Sequence, residues 1–348
     1  MYKESMRQTW VEIDLSALDH NIKEIKRVIG NNEIIGVVKA DAYGHGSVRC
    51  AKVLRDNGVK RFAVATIEEA LELREAGFNE SILILGLVPE DCTDIIIEQN
   101  LTIVIGSLDR AKKKSEIAVK RGAVIDCFIA IDSGMGRIGY RIETPLEKEF
   151  ARTEIEEIDE LEGLRINGMV SHFATSDEAD STYTNKQLSL FNDFYEELAG
   201  CGINVPMLCI ANSAAIMDYP KTHFDAVRPG IILYGCYPSE EVDKTRLDLK
   251  PVMSVKAYII HIKTVPAGTS ISYGRRFIAD RESKIATISI GYADGYSRTL
   301  TGKAEVLVHG HRVPVVGSIC MDQCMIDVTD VQDVAAGDEV VIMGRSGD

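Results

Sequence analysis

Short apolar runs alternate with amphipathic, helix-like segments over the first two thirds of this chain, and this alternation strongly constrains the fold. The runs lie at 33–39, 61–66, 81–86, 101–106, 124–132, 165–172, 206–212 and 224–235. Runs that are apolar throughout are typical of parallel strands buried on both faces. Eight such strands joined by helices predict a (β/α)8 barrel. An open doubly wound sheet is the competing fold, but its glycine fingerprint is missing after the first run, where the chain reads KADAYGHG.

Several of the intervening segments carry helix start and stop signals. Ser16 is predicted to cap the first helix, because apolar residues then recur on one helical face. Segments 67–77 and 107–122 are predicted helices, the first ended by Gly77. The connection between 86 and 101 gives the weakest helix signal.

The pattern changes after about residue 240, where apolar and polar residues alternate in the manner of half-buried strands. Predicted strands lie at 252–265, 284–293, 304–317 and 339–344, with turn signals at 309–311 and 335–338. We therefore predict three segments: an N-terminal strand at 1–15 that belongs to the β domain, a barrel at 16–240 and a β domain at 241–348. The chain stops at GRSGD, within this domain, so we expect a β domain truncated at its C-terminal end.

Composition argues against several classes of function. The formal net charge of −14 is unsuited to nucleic-acid binding, which needs a basic surface. No apolar stretch approaches the roughly 20 residues of a membrane helix, and MYKESMRQTW lacks the apolar core of a signal peptide. The eight cysteines are scattered, without the paired spacing of a zinc site. We expect a cytoplasmic protein with reduced cysteines, no metal site, and neither a nucleic-acid nor a membrane partner.

Polar residues stand where the predicted barrel strands end, which is where active sites lie in such barrels. They are Lys39, Asp132, Arg137, His172, Asn212, Ser213 and Arg228. Lys39 is the most informative, because burial at the end of an apolar strand lowers a lysine pKa toward nucleophilic use. A lysine that extends to solvent at the barrel rim is the structural alternative.

The run VVKADAYGHG around Lys39 resembles the segment that binds pyridoxal 5'-phosphate (PLP) in alanine racemases. Further stretches resemble the same family in the same order: IDSGMGRIG (131–139), SHFATSDE (171–178), ANSAAI (211–216), VRPGIILYG (227–235), SYGRRF (272–277), IGYADGYSR (290–298) and ICMDQCMIDV (319–328). The resemblance runs from about residue 9 to the end. It implies an isomerase that interconverts L- and D-alanine, the latter for bacterial peptidoglycan.

The resemblance also implies which residues act as bases. Lys39 would hold PLP and would act with Tyr273 as one of two acid–base groups. Racemisation needs two such groups, because the proton leaves one face of Cα and returns on the other. A tyrosine hydroxyl with an ordinary pKa of about 10 is a poor base, so cationic neighbours such as Arg275 and Arg276 would have to lower the pKa.

Further roles follow from the same resemblance. Cofactor contacts would come from Tyr43, His172, Asn212, Ser213, Arg228, Gly230 and Ile231, substrate contacts from Arg137, Met321 and Asp322, and the entrance from Asp177, Tyr292 and Arg298. Arg228 would face the pyridine nitrogen and keep it unprotonated, which limits side reactions such as transamination. A homodimer is implied in which the β domain of one subunit covers the barrel mouth of the other, so Tyr273 and Met321 would serve the partner.

The chain departs from the family pattern at three places. Ala130 stands where many members carry a carbamylated lysine that braces the arginine equivalent to Arg137, and Ser318 stands where an arginine is common. The sequence also lacks the family's final residues, including a tyrosine that narrows the pocket. A serine or broad-specificity racemase therefore remains an alternative. A PLP-dependent decarboxylase of similar architecture is disfavoured by Arg228, and a non-catalytic PLP-binding protein is disfavoured by the β domain.

Overall fold

The computed structural model describes residues 8–344, which divide into two compact units. One unit is Leu15–Val252, and the other combines the described parts of Met1–Asp14 and Met253–Asp348. The boundary follows Val252 rather than residue 240 because the intervening segment bonds to the first unit. The Asn21 amide donates to the Lys250 carbonyl at 2.8 Å and accepts from the Lys250 N–H at 2.8 Å. Over the same described residues, no helix is both long and apolar enough to cross a lipid bilayer.

The strands are, in chain order, β1 (Thr9–Ile13), β2 (Glu33–Val37), β3 (Arg61–Val64), β4 (Ser81–Ile84), β5 (Thr102–Ile105), β6 (Ile125–Asp132), β7 (Tyr140–Arg141), β8 (Leu164–Val170), β9 (Leu208–Cys209), β10 (Ala226–Val227), β11 (Met253–Val265), β12 (Ser270–Ile271), β13 (Phe277–Ile278), β14 (Ser283–Ile288), β15 (Glu305–Val308), β16 (His311–Val316), β17 (Cys324–Asp327) and β18 (Glu339–Met343). The right-handed α-helices are α1 (Leu15–Ile29), α2 (Ser47–Asp56), α3 (Ile67–Glu75), α4 (Thr93–Glu98), α5 (Leu108–Lys120), α6 (Pro145–Asp159), α7 (Thr182–Gly200) and α8 (Ser213–Asp218).

The first unit is a nearly closed parallel barrel, which confirms the predicted (β/α)8 architecture. Eight strands follow the order β10-β2-β3-β4-β5-β6-β8-β9, and β7 pairs with β6 outside this path. Small and branched side chains such as Val37, Val104 and Ala130 fill the interior. β9 and β10 stand at the two ends of the order, and the Arg228 N–H donates to the Ala211 carbonyl at 3.0 Å just beyond them. This hydrogen bond links the two ends of the sheet at the carboxyl side of the barrel.

Local signals predicted some helix ends and missed others. Gly77 follows α3 with a φ of +83°, which confirms the predicted left-handed stop. The prediction that Ser16 caps the first helix is wrong, because α1 already begins at Leu15 and Ser16 lies within its first turn. The weak region between 86 and 101 contains a 3-10 turn, Glu90–Cys92, followed by the short α4.

The predicted last barrel strand, 224–235, is much shorter in the structure. Only Ala226–Val227 is strand, and Ile231–Tyr234 forms a 3-10 helix that ends at Gly235, where φ is +83°. The buried Tyr234 hydroxyl donates to the Val37 carbonyl at 2.9 Å and ties this helix to β2. An apolar run cannot be assigned to strand or buried helix from periodicity alone, which explains the error.

The second unit is an antiparallel β structure, as the alternating pattern predicts. Its sheet has the order β1-β11-β14-β17-β16-β15-β18, and β18 also pairs with β11, so the sheet closes on itself. The 304–317 segment is a hairpin of β15 and β16 whose turn residues, His309 and Gly310, both have positive φ. Strand β17 was not predicted, because its four residues are too few to show a clear alternating pattern.

Candidate active site

A cavity of about 650 Å³ lies at the carboxyl ends of the barrel strands. This volume is in the range of pockets that hold cofactors and small ligands. Ten residues singled out in the sequence contribute to its lining: Lys39, Tyr43, Arg137, His172, Asp177, Asn212, Ser213, Arg228, Gly230 and Ile231. They meet because parallel barrel strands bring their carboxyl ends to one rim.

Apart from Asp132, which lies in the barrel unit, the remaining predicted site residues belong to the β unit. Tyr273 opens a 3-10 turn, Tyr273–Arg275, and is 74% exposed, while Met321 is 53% exposed and Asp322 is also exposed. The Arg298 guanidinium carbon lies 5.6 Å from the centre of the Tyr292 ring, so these two predicted entrance residues are neighbours. Their roles remain predictions.

The segment directly after Lys39 has an unusual backbone. Ala40, Asp41, Ala42 and Tyr43 all have φ between +52° and +56°, which makes Lys39–Gly44 a left-handed helical turn. Each residue other than glycine costs roughly 1–2 kcal/mol in this conformation. Polar partners on neighbouring elements hold the turn: the Ala40 N–H donates to the Glu69 carboxylate at 2.7 Å, and the Asp41 carboxylate accepts from the Ser47 N–H at 2.7 Å.

The left-handed turn brings Tyr43 to the start of the 3-10 helix Ile231–Tyr234. A Cβ placed on Gly230 would lie 2.6 Å from the Tyr43 hydroxyl, so a larger residue there would displace this hydroxyl. The Gly230 N–H donates to the Ser213 hydroxyl at 3.0 Å, and the first N–H groups of the 3-10 helix lack intrahelical acceptors. Two hydroxyls and the amide end of this 3-10 helix therefore surround a small space suited to an anion such as a phosphate.

Asn212 helps to form the same wall of the cavity as the cap of α8. Its side-chain oxygen accepts from the Ala215 N–H at 3.1 Å and from the Ser176 hydroxyl at 2.9 Å. These bonds fix the beginning of α8, and thereby the position of Ser213.

Arg228 is a buried cation, 5% exposed, that donates to neutral groups. Its guanidinium donates to the Ser171 carbonyl at 2.6 Å and to the Cys209 carbonyl at 2.7 Å, at the ends of β8 and β9. It also lies 3.2 Å from the His172 Nδ1. Since an arginine only donates, this Nδ1 accepts and the imidazole carries its proton on Nε2. With no carboxylate among these partners, the positive charge of Arg228 remains effective in the cavity.

The pKa values of two cavity residues reflect their burial and, to a lesser extent, this surplus of positive charge. Burial lowers the pKa of His172 to about 3, assisted by the charges of Arg228, Arg137 and Lys39. Burial also lowers the pKa of Lys39, as do Arg137 and Arg228, while the Glu69 carboxylate opposes the shift. The cavity is therefore suited to a small anionic ligand and to an amine that reacts in its neutral form.

Arg137 is carried by a glycine-rich loop after β6. The Asp132 carboxylate accepts from the Gly134 and Gly136 N–H groups at 3.0 and 2.9 Å, which fixes the turn of this loop. Arg137 also faces a second cavity of about 380 Å³. Ala130 is buried in the barrel core close to the loop.

Sequence reasoning missed the partners that hold the predicted residues. Ser171 and Cys209 bind Arg228 through backbone carbonyls, which any residue type can supply, so their sequence carried no signal for this role. Glu69 is different, because its carboxylate also accepts from the Thr66 N–H in a capping box. That box was recognisable in the sequence, but its contact with Ala40 was not.

The comparisons with known proteins agree with this arrangement of site and domains. Residues 13–238 match the family model described as alanine racemase, N-terminal domain, and residues 252–348 match alanine racemase, C-terminal domain. The chain belongs to the alanine racemase family. It is 51% identical to alanine racemase 1 of Clostridium acetobutylicum over 343 residues, 99% of this chain and 88% of that protein.

Solved alanine racemases have the same fold. The enzyme of Clostridium difficile 630 superposes with a TM-score of 0.92 at 41% identity, covering 99% of this chain and 88% of its own. The alanine racemase of Bacillus anthracis, solved with bound L-Ala-P, gives a TM-score of 0.90 at 37% identity with the same coverage. Alanine racemases are PLP-dependent. The cavity of this chain fits that cofactor, because it combines the half-buried Lys39, a space suited to a phosphate between Tyr43 and Ser213, and the positive charge of Arg228.

The left-handed turn after Lys39 leads to a stability prediction. Ala40→Gly should leave the free energy of unfolding unchanged or raise it by up to about 1.5 kcal/mol, because relief of roughly 1–2 kcal/mol of strain exceeds the entropy gained by the unfolded chain. The control Ala199→Gly, at an exposed position in α7, should lower it by about 0.5–1 kcal/mol. Urea unfolding of both variants measures the difference. Equal destabilisation would show that Ala40 is not left-handed.

Proposed function

We propose that this member of the alanine racemase family interconverts L- and D-alanine, with PLP as its cofactor. One observation carries the proposal: Lys39 lines a cationic cavity with Arg137 and Arg228, in a chain that matches the family over both domains. From the family resemblance alone, we also propose that it supplies D-alanine for peptidoglycan in the cytoplasm.

Binding of the cofactor is assigned to residues of the barrel unit. Lys39 would hold it covalently, and Tyr43, Ser213, Gly230 and Ile231 would bind its phosphate. His172 and Asn212 would lie beside it. Arg228 would face the ring nitrogen, and the carbonyl acceptors of Cys209 and Ser171 support this by holding its guanidinium in place. When bound, PLP supplies an electron sink that makes the Cα proton of an attached amino acid acidic.

Two bases on opposite faces of Cα would move the proton. Lys39 would act through its Nζ and Tyr273 through its hydroxyl, one removing a proton while the other delivers one. The lowered pKa of Lys39 increases the fraction of amine that is neutral and able to accept a proton at neutral pH. Arg137 would bind the substrate carboxylate, and Met321 and Asp322 would line the same side.

A homodimer with shared active sites would complete this machinery. The exposure of Tyr273 and Met321 supports it, since a base and a substrate contact need an environment from which bulk water is excluded. In the proposed dimer, the β domain of one subunit covers the barrel mouth of its partner. Asp177, Tyr292 and Arg298 would then line the entrance.

Chiral chromatography of L-alanine and L-serine, each incubated with the PLP-loaded protein, tests the substrate. We expect alanine to be racemised about ten- to a hundredfold faster than serine, within the limit to which a pocket for a methyl group rejects an added hydroxyl. Faster turnover of serine would favour a serine or broad-specificity racemase. No turnover by protein with bound cofactor would favour a PLP-binding protein without catalysis.

Variants at the two proposed bases should behave differently. Lys39→Ala should lose both the absorbance of bound cofactor and all racemisation. Tyr273→Phe should keep the absorbance and lower racemisation by about 10²–10⁴-fold, the usual contribution of a general base. Tyr258→Phe, another exposed tyrosine of the β unit, serves as the control and should be unaffected. Wild-type racemisation by Tyr273→Phe would overturn the two-base assignment.

Mixing these inactive variants tests the shared site. In a mixed dimer, the Lys39→Ala chain supplies Tyr273 to the intact Lys39 of its partner, so one of the two sites is complete. Random exchange makes half of the dimers mixed, so activity should recover to about one quarter of wild type. Lys39→Ala mixed with itself is the control. Absence of recovery despite demonstrated subunit exchange would mean that each site forms within one chain.

A further inference from the structure

The backbone that carries Tyr273 adopts conformations that need external support. Ser272 has a φ of +66° and Arg275 a φ of +50°, both in the region that side-chain-bearing residues rarely occupy. Gly274, between them, has a φ of +74°. The turn Tyr273–Arg275 therefore depends on surrounding contacts for its shape, and so does the direction of the Tyr273 side chain.

Two serines hold this turn through reciprocal hydrogen bonds. The Ser272 hydroxyl donates to the Ser318 carbonyl at 2.7 Å, and the Ser318 hydroxyl donates to the Tyr273 carbonyl at 2.7 Å. Ser318 is only 4% exposed, which shields its bond from competing water. We call these two residues the serine pair.

The segment that provides Ser318 has its own fixed position. A Cβ on Gly317 would approach the Ile271 carbonyl to 2.8 Å, so glycine is needed for the two segments to lie this close. Ile271 precedes Ser272 and Val316 precedes Gly317, and both of these apolar side chains are buried in one cluster. Further on, the Met321 carbonyl accepts from the Ala293 N–H at 2.9 Å. The serine pair thus connects the turn of Tyr273 to the segment that carries Met321.

We propose that Ser272 and Ser318 are positioning residues for Tyr273-dependent proton transfer. The inference rests on the proposed function and deepens it, because it assigns a role to Ser272 and Ser318, which have none in that function. The two hydroxyls hold the backbone on either side of the Tyr273 Cα, which limits where its phenol can point. Misplacement of a catalytic group by about 1 Å can cost a hundredfold in rate.

Ser318→Ala provides the central test in the PLP-loaded protein. We expect kcat for racemisation to fall by about ten- to a hundredfold, while KM and cofactor absorbance stay close to wild type.

A deuterium-exchange measurement separates the two bases. In deuterium oxide, each enantiomer exchanges its Cα hydrogen through the base that faces it. In Tyr273→Phe only Lys39 remains as a base, so the enantiomer that still exchanges its Cα hydrogen is the one that faces Lys39. Ser318→Ala should preserve that exchange and slow exchange of the other enantiomer.

A second measurement is independent of turnover. The Arg275 N–H donates to the Ser272 carbonyl at 3.2 Å within the turn. In the cofactor-free protein, Ser318→Ala should speed hydrogen exchange at the amides of the turn Tyr273–Arg275 and leave the rest of the β unit unchanged. This measurement tests the serine pair even if the wild-type protein does not racemise alanine. Failure of the proposed function can therefore be distinguished from failure of the inference about the serine pair.

Ser283→Ala is the matched control. Ser283 is a buried serine of the same unit whose hydroxyl donates to the Arg281 carbonyl at 3.1 Å. Its loss should change neither the Cα exchange of the two enantiomers nor the amide exchange of the turn Tyr273–Arg275. Ser272→Ala, which removes the other bond, should repeat the pattern and replaces Ser318→Ala if that variant fails to fold. Equal loss of Cα exchange for both enantiomers, or unchanged racemisation and amide exchange, would overturn the proposal.

Discussion

The hydrogen bonds of Arg228 are the interaction on which most of the barrel site depends. Its backbone N–H donates to the Ala211 carbonyl beside the gap between β9 and β10, the two end strands of the barrel sheet. Its guanidinium donates to carbonyls at the ends of β8 and β9. A buried arginine that lost these acceptors would leave a charge without compensation. The same side chain therefore joins the last barrel strands and, with Arg137, makes the cavity positively charged.

The electrostatic character of the cavity follows from that arrangement. Burial is the largest cause of the lowered pKa of both Lys39 and His172, and the charges of Arg137 and Arg228 lower it further. A histidine whose pKa lies near 3 stays neutral at physiological pH and can accept a hydrogen bond from Arg228. An anionic cofactor and an amino-acid carboxylate would both be attracted to such a site, which is consistent with the chemistry proposed for this family member.

Much of the fold was predictable because the barrel repeats one local rule. A buried strand needs a continuous apolar run, and eight such runs appeared near the strands that the structure contains. The rule that active sites lie at the carboxyl ends then selected Lys39, His172 and Arg228 as candidates. Apolar periodicity could not show that 224–235 is mostly not a strand, since the residues of the 3-10 helix Ile231–Tyr234 are as apolar as a strand. It also could not show that the first helix begins at Leu15 and not after Ser16.

The alternation of barrel strands and helices, the change to β structure and the residues at the barrel rim were predictable, because these follow from local periodicity and chain direction. How those residues are held depends on the folded chain. The left-handed turn after Lys39, the neutral acceptors of Arg228 and the bonds between Ser272 and Ser318 all use partners distant in the chain. Such partners are often backbone groups, which every residue carries, so their identity depends on proximity in the folded molecule.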